Sequence, residues 1–203
     1  MAVRRRQDWG DVAPVPARAV EVVTDAQARR VVERARRAGD AMPPLVLLGG
    51  DLCRTLGGTG DRARLDQGRG TRVVVDVGAV RADGSRHWFV AHLVARRSWW
   101  TGRVWAACNA EYIGAWDAAP RAHPGDGLLD TLDVSLTFND RLKARSRLAA
   151  GTHVPHPGIV ERRSVAVEVD FERPTPIWLD GERTATARHL SVSVEPDALH
   201  CWV

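Results

Sequence analysis

Residues 165–194 read VAVEVDFERPTPIWLDGERTATARHLSVSV. Val165, Val167 and Val169 alternate with Ala166, Glu168 and Asp170, the period of two that sends successive side chains to opposite faces of a strand. Ile177-Trp178-Leu179 then runs into Asp180-Gly181, a pair that favours the positive φ of a tight hairpin turn. Thr184–Ala187 and Leu190–Val194 return as further strands, and Leu199–Val203 adds another apolar run. The stretch predicts antiparallel pairing about the turn.

The same period recurs upstream. Val73, Val75 and Val77 alternate with Arg72, Val74 and Asp76, Asp83-Gly84 marks a second hairpin turn, and His87–Val94 returns. Val104–Ile113 and Leu128–Leu136 read as further strands. Asn139 stands where it would cap a short basic helix over Arg141–Leu148, which Gly151 would end. Many short strands at close spacing predict a mainly β (α+β) protein built as an antiparallel β-sandwich.

The first 60 residues follow another pattern. Residues 1–16 carry Pro14 and Pro16 without a sustained period and read as an extended arm. Ala19–Val23 reads as a short strand. Thr24 is an N-cap, with Gln27 completing a capping box. Ala28, Val31, Val32, Ala35 and Ala38 share one helical face, and Gly39 ends the helix. Leu45–Leu48 reads as a buried strand ending at Gly49-Gly50. This is one βαβ unit, and alone it cannot cover both faces of a parallel sheet. The expected division is 1–60, the arm and a residual βαβ unit of a nucleotide-binding domain, and 61–203, the sandwich.

Composition removes several functions. No apolar run approaches the roughly 20 residues of a membrane span, and polar Gln7–Asp11 follows the basic start where a signal peptide needs an apolar stretch. A cytoplasmic protein able to sit at a membrane surface is expected. Cys53, Cys108 and Cys201 are scattered, odd in number and lack metal-ligand spacing, so neither a disulfide framework nor a zinc site is expected. Lysine occurs once, at Lys143, so the net charge of +4 rests on arginine. No nucleic-acid recognition motif accompanies that charge, and no nucleic-acid partner is expected.

Three segments, taken in order, resemble the second, acceptor-side half of the bacterial diacylglycerol and sphingosine-type lipid kinases. Asn109-Ala110-Glu111-Tyr112-Ile113-Gly114, with Ala119-Pro120 and Gly125-Asp126-Gly127-Leu128-Leu129-Asp130, is similar to that family's Asn-Gly-x-Tyr-x-Gly-Gly strand, Ala-Pro and acidic turn. Gly151-Thr152-His153-Val154-Pro155-His156-Pro157 resembles its Gly-x-His-x-x-His-Pro segment. Trp178-Leu179-Asp180-Gly181-Glu182 resembles its Asp-Gly-Glu hairpin. Gly50–Gly57 is similar to a shortened form of its Asp-Leu-Ala-Arg-Thr-Leu-Gly loop, whereas the turn at Val22–Ala26, where the family carries Gly-Gly-Asp-Gly-Thr, has no glycine.

The resemblance implies a family of ATP-dependent kinases that phosphorylate a lipid hydroxyl. In that setting Glu182 is the general base, with Asp180 beside it. Asp126 falls in a structural Mg²⁺ loop completed by backbone oxygens of His123 and Leu128. Gly49, Gly50 and Asp51 stand as an alternative phosphate cradle, but without the glycine turn ATP binding in the family's manner is not expected. Arg141, Lys143, Arg145 and Arg147, with Trp99 and Trp100, suit a lipid or anionic membrane surface. The favoured reading is a non-catalytic lipid-, membrane- or partner-binding module. A small active lipid kinase transferring the ATP γ-phosphate to a lipid hydroxyl, alone or completed by a separate nucleotide-binding chain, and a homo-oligomeric scaffold, are the alternatives.

Overall fold

Asp180 and Gly181 adopt φ of +50° and +83°, so the turn expected from their sequence forms, with aspartate taking the left-handed position it tolerates better than most residues. The structure is a computed structural model that describes residues 9–148, 151–152 and 156–203. The readings that involve Met1–Arg6 and His153 lie outside the described residues.

The chain begins with β1 (Asp11–Val12), β2 (Val20–Val22), α1 (Asp25–Ala38), β3 (Leu45–Leu47), α2 (Asp51–Thr55) and α3 (Arg62–Asp66). Next come β4 (Thr71–Ala82), β5 (Ser85–Phe89), β6 (His92–Arg96), β7 (Val104–Cys108), β8 (Tyr112–Ile113) and β9 (Trp116–Asp117). The last elements are β10 (Leu129–Val134), α4 (Phe138–Leu148), β11 (Ile159–Ser164), β12 (Ala166–Leu179) and β13 (Glu182–Trp202). Among the described residues no helix is long and apolar enough to cross a membrane.

One sheet runs in the order β1-β4-β13-β12-β6-β7-β10-β11, antiparallel throughout, with β5 added to β4. The runs expected as three strands after Gly181 are the single strand β13. Its pairing with β4 shifts register between Glu195 and Leu199, and Pro196 lies inside that shift, where a missing N–H removes no ladder bond. Pro174 likewise lies within a register shift of β12, between Asp170 and Thr175. The long strands therefore bend without ending. The sandwich core lies between the β4–β13–β12 side and the β6–β7–β10 side, where Phe89, Leu93, Leu129, Ile177, Leu179 and Leu190 are fully buried. Gly78 is required there: a Cβ on it would meet the Phe89 ring at 2.1 Å.

The N-terminal unit joins this sheet. β2 pairs with β3 in parallel, and β3 pairs in parallel with the end of β13, Leu45 opposite Cys201. α1 then closes a core of Val22, Val32, Leu45, Val75, Val77 and Leu199 drawn from both parts of the chain. Its ends follow the sequence signals. Thr24 Oγ1 accepts from Gln27 N at 3.2 Å, Gln27 Oε1 accepts from Val23 N at 2.7 Å, and Gly39 takes φ +72°. α4 starts earlier than expected. Thr137 Oγ1, not Asn139, accepts from Asp140 N, and Asn139 lies inside the helix.

Candidate functional site

The Asp180 turn, the start of β6, α1 and the β3–α2 loop meet at one polar junction. Asp180 turns its carboxylate inward, where it accepts from the N–H groups of Val90, Ala91 and His92 at 2.9, 2.9 and 3.1 Å. Burial pushes its pKa up to about 6, although the charge of His92 and the backbone N–H groups pull the other way. His92 is itself buried, with Nε2 3.0 Å from Asp51 Oδ2. Burial works to lower the His92 pKa, but the Asp51 hydrogen bond and the charges of Asp180, Asp51 and Asp25 outweigh it and hold the pKa above the usual value.

Glu182 sits on the outer side of this junction. Arg29 NH2 and Arg30 NH1 donate to its two oxygens at 2.6 and 2.7 Å, and Arg29 also reaches Glu33 at 3.2 Å. The Arg30 hydrogen bond, helped by the charges of Arg30 and Arg29, lowers the Glu182 pKa against the opposing effect of burial. A carboxylate held by two guanidinium groups is a poor proton acceptor at neutral pH.

Gly49, Gly50 and Asp51 form a seat, and a side chain of the protein already fills it. Asp25 Oδ2 accepts from Asp51 N at 2.6 Å and Asp25 Oδ1 from Leu52 N at 3.1 Å. Gly50 has φ +96°, and a Cβ on it would strike the Asp25 carboxylate at 2.5 Å. A Cβ on Gly49 would meet Val23 O at 2.7 Å, so both glycines serve close backbone approach. Asp51 Oδ2 is likewise engaged, with His92 and with Gly114 N at 2.8 Å. The residues present do not fit a nucleotide triphosphate in this seat: its donors hold a carboxylate, and a second anion beside Asp25 and Asp51 would be repelled.

The expected Mg²⁺ loop does not fit a metal ion either. Asp126 Oδ1 accepts from Leu128 N at 3.0 Å, and Oδ2 is paired with the Arg163 guanidinium, whose Nε also reaches Asp130 Oδ2 at 3.0 Å. Arg163 thus supplies the positive charge of the loop. The His123 carbonyl accepts from Asp126 N at 3.4 Å, and its ring packs on Trp9 with centroids 4.4 Å apart. Among the described residues no His, Cys, Asp and Glu cluster could hold a metal ion.

On the far side of the sandwich, the outer face of β6, β7 and β10 and the inner side of α4 enclose an apolar pocket of about 300 Å³. Trp99, Trp100, Trp116, Ile113, Leu132 and Leu148 are among its walls. The Trp99 and Trp116 rings meet edge to face at 5.1 Å. Lys143, Arg145 and Arg147 are exposed along α4 beside the exposed apolar side chains of Phe138, Leu142 and Trp100, a pattern that suits a water–lipid boundary. Arg141 departs from the expected surface row. It is only 7% exposed, and its guanidinium donates to the carbonyls of Leu136 and Trp99, both at 3.1 Å, and of Gly102.

Asp180, Glu182, Gly50 and Asp51 are brought together, while the Asp126 loop and α4 lie in other parts of the fold. Sequence reasoning did not find Arg29, Arg30 or His92. The first two are indistinguishable from the solvated arginines of α1, and His92 sits in an apolar run with no motif around it. Asn109 carries a signal in the resemblance. It is buried, and its Nδ2 donates to Asp76 O and Val90 O, both at 2.9 Å.

The comparisons with known proteins fit this architecture. No curated protein matches the chain. In fold, the chain is similar to the crystal structure of a candidate diacylglycerol kinase from Bacillus anthracis str. Sterne, with a TM-score of 0.70 and 14% identity over 91% of this chain and 77% of that one. A diacylglycerol kinase from the same strain gives a TM-score of 0.54 and 15% identity over 79% of this chain and 66% of that one. At sequence level, residues 68–203 match the family described as the YegS C-terminal NAD kinase beta sandwich-like domain. These residues span β4 to β13, the sandwich and its Asp180 turn, and the chain belongs to that family.

Proposed function

We propose that this chain is a non-catalytic member of its family that binds a lipid through the pocket under α4. The observation that carries the reading is the contrast between two sites in one fold. The phosphate seat is filled by Asp25, whereas the pocket of about 300 Å³ is open and walled by indoles and aliphatic side chains. That volume lies at the lower end of the roughly 300–1,000 Å³ usual for small-molecule sites. The Phe138, Leu142 and Trp100 side chains, flanked by Lys143, Arg145 and Arg147, would rest on an anionic membrane and hold the pocket near its supply of lipid.

An active kinase is the second reading, favoured by the meeting of Asp25, Asp51, Asp180 and Glu182 at one junction. A single comparison separates the two. Tryptophan fluorescence is followed as a twelve-carbon monoacylglycerol is added to the protein and to an Ala118→Phe variant whose fold is verified by circular dichroism. In parallel, labelled MgATP and diacylglycerol are assayed for phosphoryl transfer. The proposal predicts saturable binding that weakens at least 10-fold in the variant, with no transfer. Transfer that is lost in Glu182→Gln, or fluorescence unaffected by the lipid, overturns it.

A further inference from the structure

The charged side chains that line the pocket are of one sign. Its walls include two arginines, Arg141 and Arg145, and no acidic residue. Arg141 is bound by carbonyls alone. Arg145 lies over the Trp100 ring at 5.1 Å and makes no hydrogen bond or ion pair among the described residues. A third guanidinium stands behind Trp99. Arg96 shares its strand face with Val94, a wall residue, and is clamped between the rings of Trp99 at 4.2 Å and Trp178 at 4.6 Å.

Stacking satisfies the faces of the Arg96 guanidinium but not its N–H groups. Arg96 Nε and Trp178 Nε1 are both buried donors without a hydrogen-bond partner. Burial is the one influence on the pKa of Arg96 and of Arg141, in each case downward, so no carboxylate compensates either charge. Several arginines elsewhere are paired with carboxylates: Arg29 with Glu33 and Glu182, Arg103 with Asp133, Arg163 with Asp126 and Asp130. The two buried donors without partners, Arg96 Nε and Trp178 Nε1, are costly, and an anion bound nearby would offset the Arg96 charge.

We propose that the pocket takes a single-chain amphiphile with an anionic oxygen head, the chain lying against Trp99, Trp116 and Leu132 and the head drawn to Arg145 in the pocket wall and to the positive potential of Arg96 behind Trp99. The inference rests on the lipid-binding reading above and adds the head group to it. A cavity of about 300 Å³ suits one alkyl chain rather than two. A carboxylate and any two oxygens of a tetrahedral phosphate both present the paired acceptors that a guanidinium fork recognises.

The test uses the full chain and four twelve-carbon probes below their micelle concentrations: dodecanoate, dodecyl phosphate, dodecyltrimethylammonium and monododecanoylglycerol. Both anions, or whichever of the two is the native head type, bind at least 10-fold more tightly than the neutral and cationic probes. Each methylene added to the preferred probe tightens binding about 3- to 4-fold until the pocket is full. Arg145→Gln, at an exposed position, weakens the anion about 10-fold and leaves the neutral glyceride unchanged, and Arg96→Met does the same. Equal affinity for all four probes, or preference for the cation, overturns the head-group inference and leaves the lipid-binding reading standing. If no probe binds, both fall.

Discussion

At the residue scale the junction behind the Asp180 turn is a set of ionisable groups whose states depend on each other. Asp25, Asp51 and Asp180 surround His92, and their charges favour its protonated form against the opposing effect of burial. The pH dependence follows. A histidine whose folded pKa lies above its unfolded value contributes stability that is complete below about pH 6.5 and is lost as pH rises through the folded pKa. Asp180, raised from 3.8 to about 6, acts in the same direction at lower pH, because the folded state holds its proton longer than the unfolded chain does. His87, whose pKa is lowered chiefly by burial, opposes this between its folded value and about 6.5. Urea unfolding at successive pH values is therefore expected to show stability falling above pH 6.5, with His92→Gln flattening that fall. A stability that rises over this range would contradict the assignment of charge to His92.

At the element scale Arg163 joins two strands and a turn. It lies on β11 opposite Asp130 of β10 and reaches back to Asp126 in the preceding turn, where its guanidinium makes added metal superfluous. The melting temperature is expected to be unchanged by millimolar Mg²⁺ or by chelator. Arg163→Met should cost about 3 kcal/mol, the usual penalty for leaving partly buried carboxylates without their cation. A saturable rise of melting temperature with Mg²⁺ in the unaltered protein would contradict this account of the loop. Some elements were legible in the sequence because their signals are local. Thr24, Gln27 and Gly39 fix both ends of α1, and Asp180-Gly181 fixes the β12–β13 turn. The continuity of β13 was not legible, since Pro196 reads as a break until β4 is seen to absorb it as a register shift. α2 and α3, five residues each, are too short to show a helical period.

At the scale of the whole molecule, two regions that lie far apart in sequence share one sheet, and their meeting creates the filled seat. Asp25 and Asp51 are 26 residues apart, and Asp180 and His92 are 88 apart, so neither pairing can be read from local pattern, although the resemblance of their turn to the family's Asp-Gly-Glu hairpin singles out Asp180 and Glu182. The same holds for the pocket. Clustering of tryptophans is visible in the sequence, but the clamp on Arg96 needs β6 beside β12, and the walls need α4 folded over β7 and β10. The account as a whole rests on backbone donors at residues 51 and 52 being already committed to Asp25. Titration calorimetry of MgATP into the protein tests this most directly. The account predicts no saturable heat up to about 1 mM nucleotide, a free energy of binding weaker than about 4 kcal/mol. Binding at about 10 µM that disappears in Gly50→Val would contradict it.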